Sequence, residues 1–372
     1  MMTLLINHLK SDLRKFLLVA ISLVLVGLIF VYSASSVFAL EKFGNAAYFL
    51  KRQMVYIFLG VVGFVFFALV PKEFWKKHAS LFFLGSVFLT LLTFVPQLGL
   101  KCHGSNRWLS IAGFSFQPSE FLKLFLLMYL GYFLEKRQLA AGSFVNSYLP
   151  YLLVLGLTSV VLLKQPDFGS MITIFATSVI LLFVAEFNLL YLGVTVLLMV
   201  PAVVFLILAK SYRINRILIF LNPWADPQGK GFQIIQSLIA IGSGSALGLG
   251  ISNSKQKFFY LPMQHTDFIF SIIAEETGFV GSCIIILLYF LLCFYGLRLA
   301  LQLSGPFEFF TTIGFVAFIS LQAVINLMVT SGLLPTKGLS LPFVSYGGTA
   351  IISLFCMLGL ISNFAKNNQG ES

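Results

Sequence analysis

Charge is what this 372-residue chain has least of. Asp, Glu, Lys and Arg make up only 10% of it, against roughly 25% in a soluble globular protein, while hydrophobic residues make up 59%. Such a chain cannot cover itself against water, so its solvent is lipid. Acid is scarcer than base, with 13 Asp and Glu against 24 Lys and Arg. Cysteine is also sparse. Cys283, Cys293 and Cys356 lie in apolar runs and Cys102 in a loop. With no CxxC and no Cys/His set at ligand spacing, a disulfide framework and a zinc site are both excluded. The glycine run 242–250 lacks the GK[ST] ending of a nucleotide-binding loop, and no complete SxxK/SDN/KTG set of penicillin-type acyl transfer is present. There is no internal repeat and no low-complexity linker. The first apolar run, 16–39, exceeds the roughly 7–15 residues of a signal-peptide core and reads as a retained anchor.

What the chain does have is long apolar runs. Crossing a bilayer takes roughly 20 residues. Suitable windows fall at 16–39, 53–70, 79–96, 118–134, 147–164, 169–186, 189–209, 267–295, 308–330 and 346–364. The expected architecture is an all-α integral membrane protein, a bundle of about ten transmembrane helices in one domain covering 1–372. A large extracytoplasmic loop, 210–266, separates spans 7 and 8, and a last outer loop covers 331–345. Lys10, Arg14, Lys15, Lys72, Lys76, Lys77, Lys136 and Arg137 fall on one side, which the positive-inside rule makes cytoplasmic, with both termini there. More than half of the 24 basic residues fall on the other side, against that rule. An anionic ligand at the outer face accounts for them, with lipid headgroups as the plainer alternative.

The loop 210–266 is the least membrane-like segment. In "GFQIIQSLIAIGSG", Phe232, Ile235, Leu238 and Ile239 recur at helical spacing opposite Gln233, Gln236 and Ser237, which predicts an amphipathic interfacial helix. The glycines that follow suit either a re-entrant turn or a backbone cradle for phosphate. Asp267 stands where the eighth span opens, and Thr266 or Asp267 is placed to cap that helix. A carboxylate near hydrocarbon is costly, and burial raises its pKa toward a useful base. Glu275 lies about 80° round the helix from Asp267 and Glu276 opposite it, so both read as structural network members.

Seven segments, in order, carry a resemblance across nearly the whole chain. They are "YSASS" (Tyr32 to Ser36), "FLKRQ" with Arg52, "RWLSIAGFSFQPSEFLK" (Arg107 to Lys123), "KQPDFGS" with Asp167, "YRINRILIFLNPWADPQGKGFQIIQSL" (Tyr212 to Leu238), "QKFFYLPMQHTDFIF" with Asp267, and "GLLPTKGLSLPFVSYGG" (Gly332 to Gly348). Together they resemble the SEDS peptidoglycan glycosyltransferases, and the "QKFFYLP" and "LPTKG" pairing is more similar to the division-type than the elongation-type member. Two positions depart from the family pattern: Met263, where a Glu is usual, and Thr277 in "EETG".

The resemblance implies polymerisation of lipid II at the periplasmic face of the bacterial inner membrane. It implies Asp267 as general base, with a divalent cation, Mg or Mn, as a candidate companion, since hard cations prefer carboxylate and phosphate oxygens. Arg52, Lys257, Arg213, Arg216 and Lys337 are the candidates for the diphosphate, because arginine forks and ammonium groups suit it. Ser345, beside Tyr346, is a candidate for sugar hydroxyls. Asp167, beside Lys164, reads either as a local ion pair or as a supporting wall, with Glu275, Thr266 and His265 as further supporting residues. Arg107 and Trp108 read as an interfacial anchor. Implied partners are a class B penicillin-binding protein transpeptidase, divisome membrane proteins and membrane lipids, with no nucleic acid. A lipid-precursor flippase and a non-catalytic scaffold would use the same spans, so both remain open at this point, as does an elongation role.

Overall fold

The computed structural model describes residues 2–102, 105–111, 114–137, 143–229, 231–258, 262 and 264–368. Met263 and His103 lie outside these residues. The chain is a helical membrane bundle. Its helices are α1 (Met2–Phe43), α2 (Tyr48–Leu69), α3 (Lys72–Leu91), α4 (Pro118–Arg137), α5 (Leu149–Lys164), α6 (Phe168–Val184), α7 (Leu189–Leu208), α8 (Ser211–Leu221), α9 (Phe232–Ser243), α10 (Ile269–Leu301), α11 (Pro306–Thr330) and α12 (Gly348–Asn367). Eight of them are long and apolar enough to cross a membrane by length and composition among the described residues. The 20-residue α4 and the 17-residue α6 fill the two other windows.

Local chemistry sets the helix ends. Gly44, at φ 66°, closes α1 and donates its N–H to the Leu40 carbonyl at 2.9 Å, a left-handed cap that glycine adopts without strain. Pro71 stops α2 and precedes α3. The centre of the bundle is α11 and α12, whose most apolar windows are 61% and 78% buried, whereas none of α7 is buried. Lipid supplies no hydrophobic drive between helices, so they pack through small residues. A Cβ at Gly359 of α12 would stand 2.5 Å from the Phe64 carbonyl of α2, and one at Gly27 of α1 would stand 2.7 Å from that of Phe343.

Three local features differ from the sequence reading. A three-stranded antiparallel sheet, β1 (Gly99–Cys102), β2 (Ser105–Ile111) and β3 (Phe114–Phe116), stands between α3 and α4 in an otherwise helical chain. Leu100 pairs with Trp108 but Lys101 pairs with Asn106, so Arg107 is the extra residue of a bulge. Bulges re-aim side chains. Second, the loop 210–266 holds a second helix, α8, that the sequence reading missed. Third, α9 forms as expected but turns differently. Ile234, Ile235, Ser237 and Ala240 are its buried residues, and Ile239 faces outward. The Ser237 hydroxyl meets Ser271 at 2.6 Å and the Thr330 carbonyl at 2.6 Å, so a polar residue is drawn inward by buried partners.

The glycine run forms a turn against α10. It exchanges backbone hydrogen bonds with a break in α10 at Gly278 (φ 66°, ψ −162°). Leu249 and Gly250 donate to the Glu275 and Glu276 carbonyls, each at 3.0 Å. In return, Phe279 donates to Ser245 at 2.9 Å and Val280 to Ala246 at 3.1 Å. The close approach requires glycine, since a Cβ at Gly248 would lie 2.2 Å from the Glu276 carbonyl oxygen. Cys283, Cys293 and Cys356 are free thiols.

Candidate active site

Asp267 does not cap a helix. The residue at the start of α10 is Phe268, one position beyond Asp267, so the carboxylate is left for other work. Its main chain is held at three successive carbonyls. His265 O accepts from Tyr346 N at 2.9 Å, Thr266 O from the Ser345 hydroxyl at 2.6 Å, and Asp267 O from the Asn326 amide at 2.8 Å. Ser345 also accepts from Leu341 N at 2.8 Å, and Asn326 also donates to Leu339 O at 2.6 Å. The last outer loop is thereby strapped to the segment carrying Asp267. This corrects the expectation for Ser345: its buried hydroxyl serves the protein rather than sugar. A Cβ on Gly338 would lie 3.3 Å from Asp267 Oδ2, so glycine keeps that approach open.

Burial lifts the Asp267 carboxyl to about 6, with the Arg107 and Arg216 charges pulling it down and Asp167 pushing it up. Arg107 is thus close enough to Asp267 for its charge to favour the carboxylate, a placement the anchor expectation did not foresee. Its guanidinium donates to the Gln165 carbonyl at 2.9 Å and to that of Pro166. Asp167 caps α6, accepting from Ser170 N at 3.2 Å. No ion pair joins it to Lys164 among the described residues. Asp167 follows directly on the Gln165 and Pro166 carbonyls that hold Arg107, and its charge reaches Asp267.

The α8 cations come to the same place. Arg213 is buried and donates to Leu206 O at 2.6 Å and to the Tyr212 hydroxyl at 3.0 Å. The Phe168 ring has Arg213 5.1 Å from its centre and Lys337 at 5.8 Å. Burial and then Arg216 lower the Lys337 pKa. Arg107, Arg213, Arg216 and Lys337 thus gather beside two carboxylates, a setting suited to a polyanion.

Two expected diphosphate ligands stand elsewhere. Arg52 donates to the Tyr48 hydroxyl at 3.0 Å, and its guanidinium lies 5.3 Å from that ring's centre. Its charge works against the rise of the Tyr346 hydroxyl, which burial lifts to about 12. Lys257 is buried, donates to the Ser252 carbonyl and lies 3.8 Å from Glu276. Its ammonium is engaged within the loop because two buried glutamates need a counter-charge there. Glu275 accepts from the Ser254 hydroxyl, from Lys255 N at 2.9 Å and from Gln256 N at 3.3 Å, in the structural role expected of it. Glu276 accepts from Ser33 at 2.6 Å.

His265 sits among the rings of Phe49, Tyr346 and Phe38, at 4.4, 5.7 and 6.0 Å. Burial lowers its pKa to about 4, so it is neutral at ordinary pH. No group of three His, Cys, Asp or Glu is placed to hold a metal among the described residues. Sequence reasoning missed Arg107, Asn326 and Gly338. The "RW" and "LPTKG" segments carried a signal for two of them, and nothing local marked Asn326.

Comparison with known proteins identifies the family. The family model FtsW/RodA/SpoVE, described as "Cell cycle protein", matches residues 13–370. A "Probable peptidoglycan glycosyltransferase FtsW" from a Geobacter species is 43% identical over 96% of this chain and 97% of its own. "Stage V sporulation protein E" from Bacillus subtilis is 39% identical over 96% of this chain and 98% of its own. Among solved structures, a chain from "Structural coordination of polymerization and crosslinking by a peptidoglycan synthase complex" aligns with TM-score 0.78 at 31% identity, covering 95% of this chain and 97% of that one. A mutant of the rod shape determining protein RodA from Thermus thermophilus aligns with TM-score 0.72 at 25% identity, covering 95% and 97%.

Proposed function

The chain belongs to the FtsW/RodA/SpoVE family of peptidoglycan glycosyltransferases, and on that premise we propose that Asp267 is the general base of glycan-strand synthesis from lipid II. The chain is a multi-pass membrane enzyme that polymerises peptidoglycan. The observation that carries the site assignment is the backbone-clamped Asp267, raised to about 6 and facing Arg107 and Arg216.

The acceptor sugar's hydroxyl gives its proton to the Asp267 carboxylate as its oxygen attacks the donor's anomeric carbon. The bond from that carbon to the diphosphate oxygen breaks, and its electron pair leaves with the lipid diphosphate. Arg107, Arg213, Arg216 and Lys337 offset that charge. The proton on Asp267 passes to solvent before the next cycle. At pH 7 a group with pKa about 6 is mostly ionised yet basic enough to accept the proton.

A divalent cation fits the donor chemistry in part. Asp267 and Asp167 supply two hard oxygen ligands, and six or more are usual, so diphosphate oxygens and water would complete the set. Bound there, the cation would neutralise diphosphate charge.

The site opens to the periplasm in this reading, with both termini cytoplasmic, as the basic inner loops support. The relatives named FtsW favour septal synthesis over elongation. The likeness to a peptidoglycan synthase complex supports a penicillin-binding transpeptidase as partner, with other divisome proteins around it. The test is purified protein in liposomes with fluorescent lipid II. Wild type should make glycan polymer and Asp267→Asn should lose about 10²–10⁴-fold. Movement of lipid II across the bilayer without polymer would instead indicate a flippase.

A further inference from the structure

The loop 245–257 is locked to the outer end of α10 by more than the four exchanged backbone bonds. Glu275 takes three donors from residues 254–256, and Glu276 takes Ser254 N at 3.4 Å, the Ser33 hydroxyl of α1 and the Lys257 ammonium. The far end of the loop connects to the catalytic segment. Gln264 donates to the Lys257 carbonyl at 3.1 Å, and Gln233 of α9 donates to the Pro262 carbonyl at 3.1 Å. Gln264 stands three residues before Asp267. A physical path therefore runs from Glu276 through Lys257 and Gln264 to the carboxylate.

We propose that Lys257 and Glu276 form a clasp that positions Asp267, holding the loop on the broken α10 so that the segment 264–267 keeps one conformation. The proposal rests on Asp267 being the base. It differs from diphosphate binding by Lys257, because the ammonium is committed to Ser252 and Glu276. The pair is buried, so removing one partner leaves an uncompensated charge, and the effect is large where a surface pair's would be small. Loosening the clasp shifts the carboxylate from its productive geometry, where displacement of about 1 Å can cost about 10²-fold in rate. It also admits water around Asp267.

The test is steady-state polymerisation of fluorescent lipid II in liposomes by full-length Lys257→Met, Lys257→Arg, Glu276→Gln and the Lys257→Met/Glu276→Gln double variant. Lys257→Met should lower kcat at least about 10-fold with KM changed less than about 3-fold. Lys257→Arg should restore most of the rate, and the double variant should be no slower than the slower single one. The acidic limb of its pH profile should fall below that of wild type, because water relieves the burial that raises the carboxylate. Unchanged kcat, a loss carried by KM, or losses that multiply in the double variant would overturn the clasp. If Lys257→Met does not elute as a folded monodisperse protein, Ser254→Ala, which opens the Glu275 side, is read by the same kcat, KM and pH criteria. Inactivity of Asp267→Asn tests the base itself, so the two readings fail separately.

Discussion

Asn326 donates one amide to the Asp267 carbonyl at 2.8 Å and to the Leu339 carbonyl at 2.6 Å. One side chain from the middle of the protein thus fixes both the base and the outer loop that faces it. Asn326→Leu removes both bonds while keeping the branching of the side chain. Each buried carbonyl left unpaired costs about 1–3 kcal/mol. The expected outcome is a lower melting temperature together with a kcat loss of about 10-fold or more. Thermal unfolding in detergent and lipid II polymerisation check the two parts.

The pH dependence follows from the charges around Asp267. A base must be deprotonated, so the rate falls as pH drops through its pKa of about 6. Arg107 favours the carboxylate, so Arg107→Gln raises that pKa and moves the acidic limb up. Asp167 opposes it, so Asp167→Asn moves the limb down. Asn caps a helix about as well as Asp, so α6 keeps its start. Opposite shifts in pH–rate profiles are the expected result, and shifts of the same sign would contradict it.

Gly338 is the close neighbour of the carboxylate. In Gly338→Ala the new methyl would sit 3.3 Å from Asp267 Oδ2, inside ordinary contact distance. The expected effect is a reduced rate with an unaltered melting temperature, because Gly338 is exposed and few packing contacts change. Gly338→Val should be slower still. Kinetics of the two variants against thermal stability read this directly.

Cation dependence is testable without mutation. With the proposed cation bound, chelation by EDTA should reduce polymerisation and Mg or Mn should restore it, since hard cations prefer carboxylate and phosphate oxygens. Asp167→Asn should raise the cation concentration needed for half-maximal rate.

The helices were legible in the sequence because they depend on short-range signals, and Asp267 was singled out as the candidate base by its place at a span's mouth and by the family resemblance. Apolar runs announce spans, and Asp267 is an acid at the mouth of one. Arg107 was misread because its role depends on a bulge in a sheet whose strands are three, four and seven residues long, too short to show clear alternation. The pairing of Lys257 with Glu276 was not legible because charge alone does not reveal a partner 19 positions along the chain in a folded-back loop. Glycine at 244 and 248 read as a re-entrant turn or a phosphate cradle, yet two backbones meet there, with Gly278 on the other side. That contact is long-range and no local pattern encodes it. Asn326 lies in the last turns of α11 among apolar residues and gave no cue, since its partners are main-chain carbonyls.

The exchange at Gly278 has a consequence for how this chain can vary. Hydrocarbon supplies no donors or acceptors, so a spanning helix that opens must find substitutes for its lost internal bonds. Here the segment from Ser245 to Gly250 supplies them, two in each direction. It is therefore a detached turn of α10 in all but connectivity. Deletions tolerated in an ordinary surface loop would unsatisfy the membrane helix itself, and the spacing between 250 and 275 is set by the reach between two halves of one ladder.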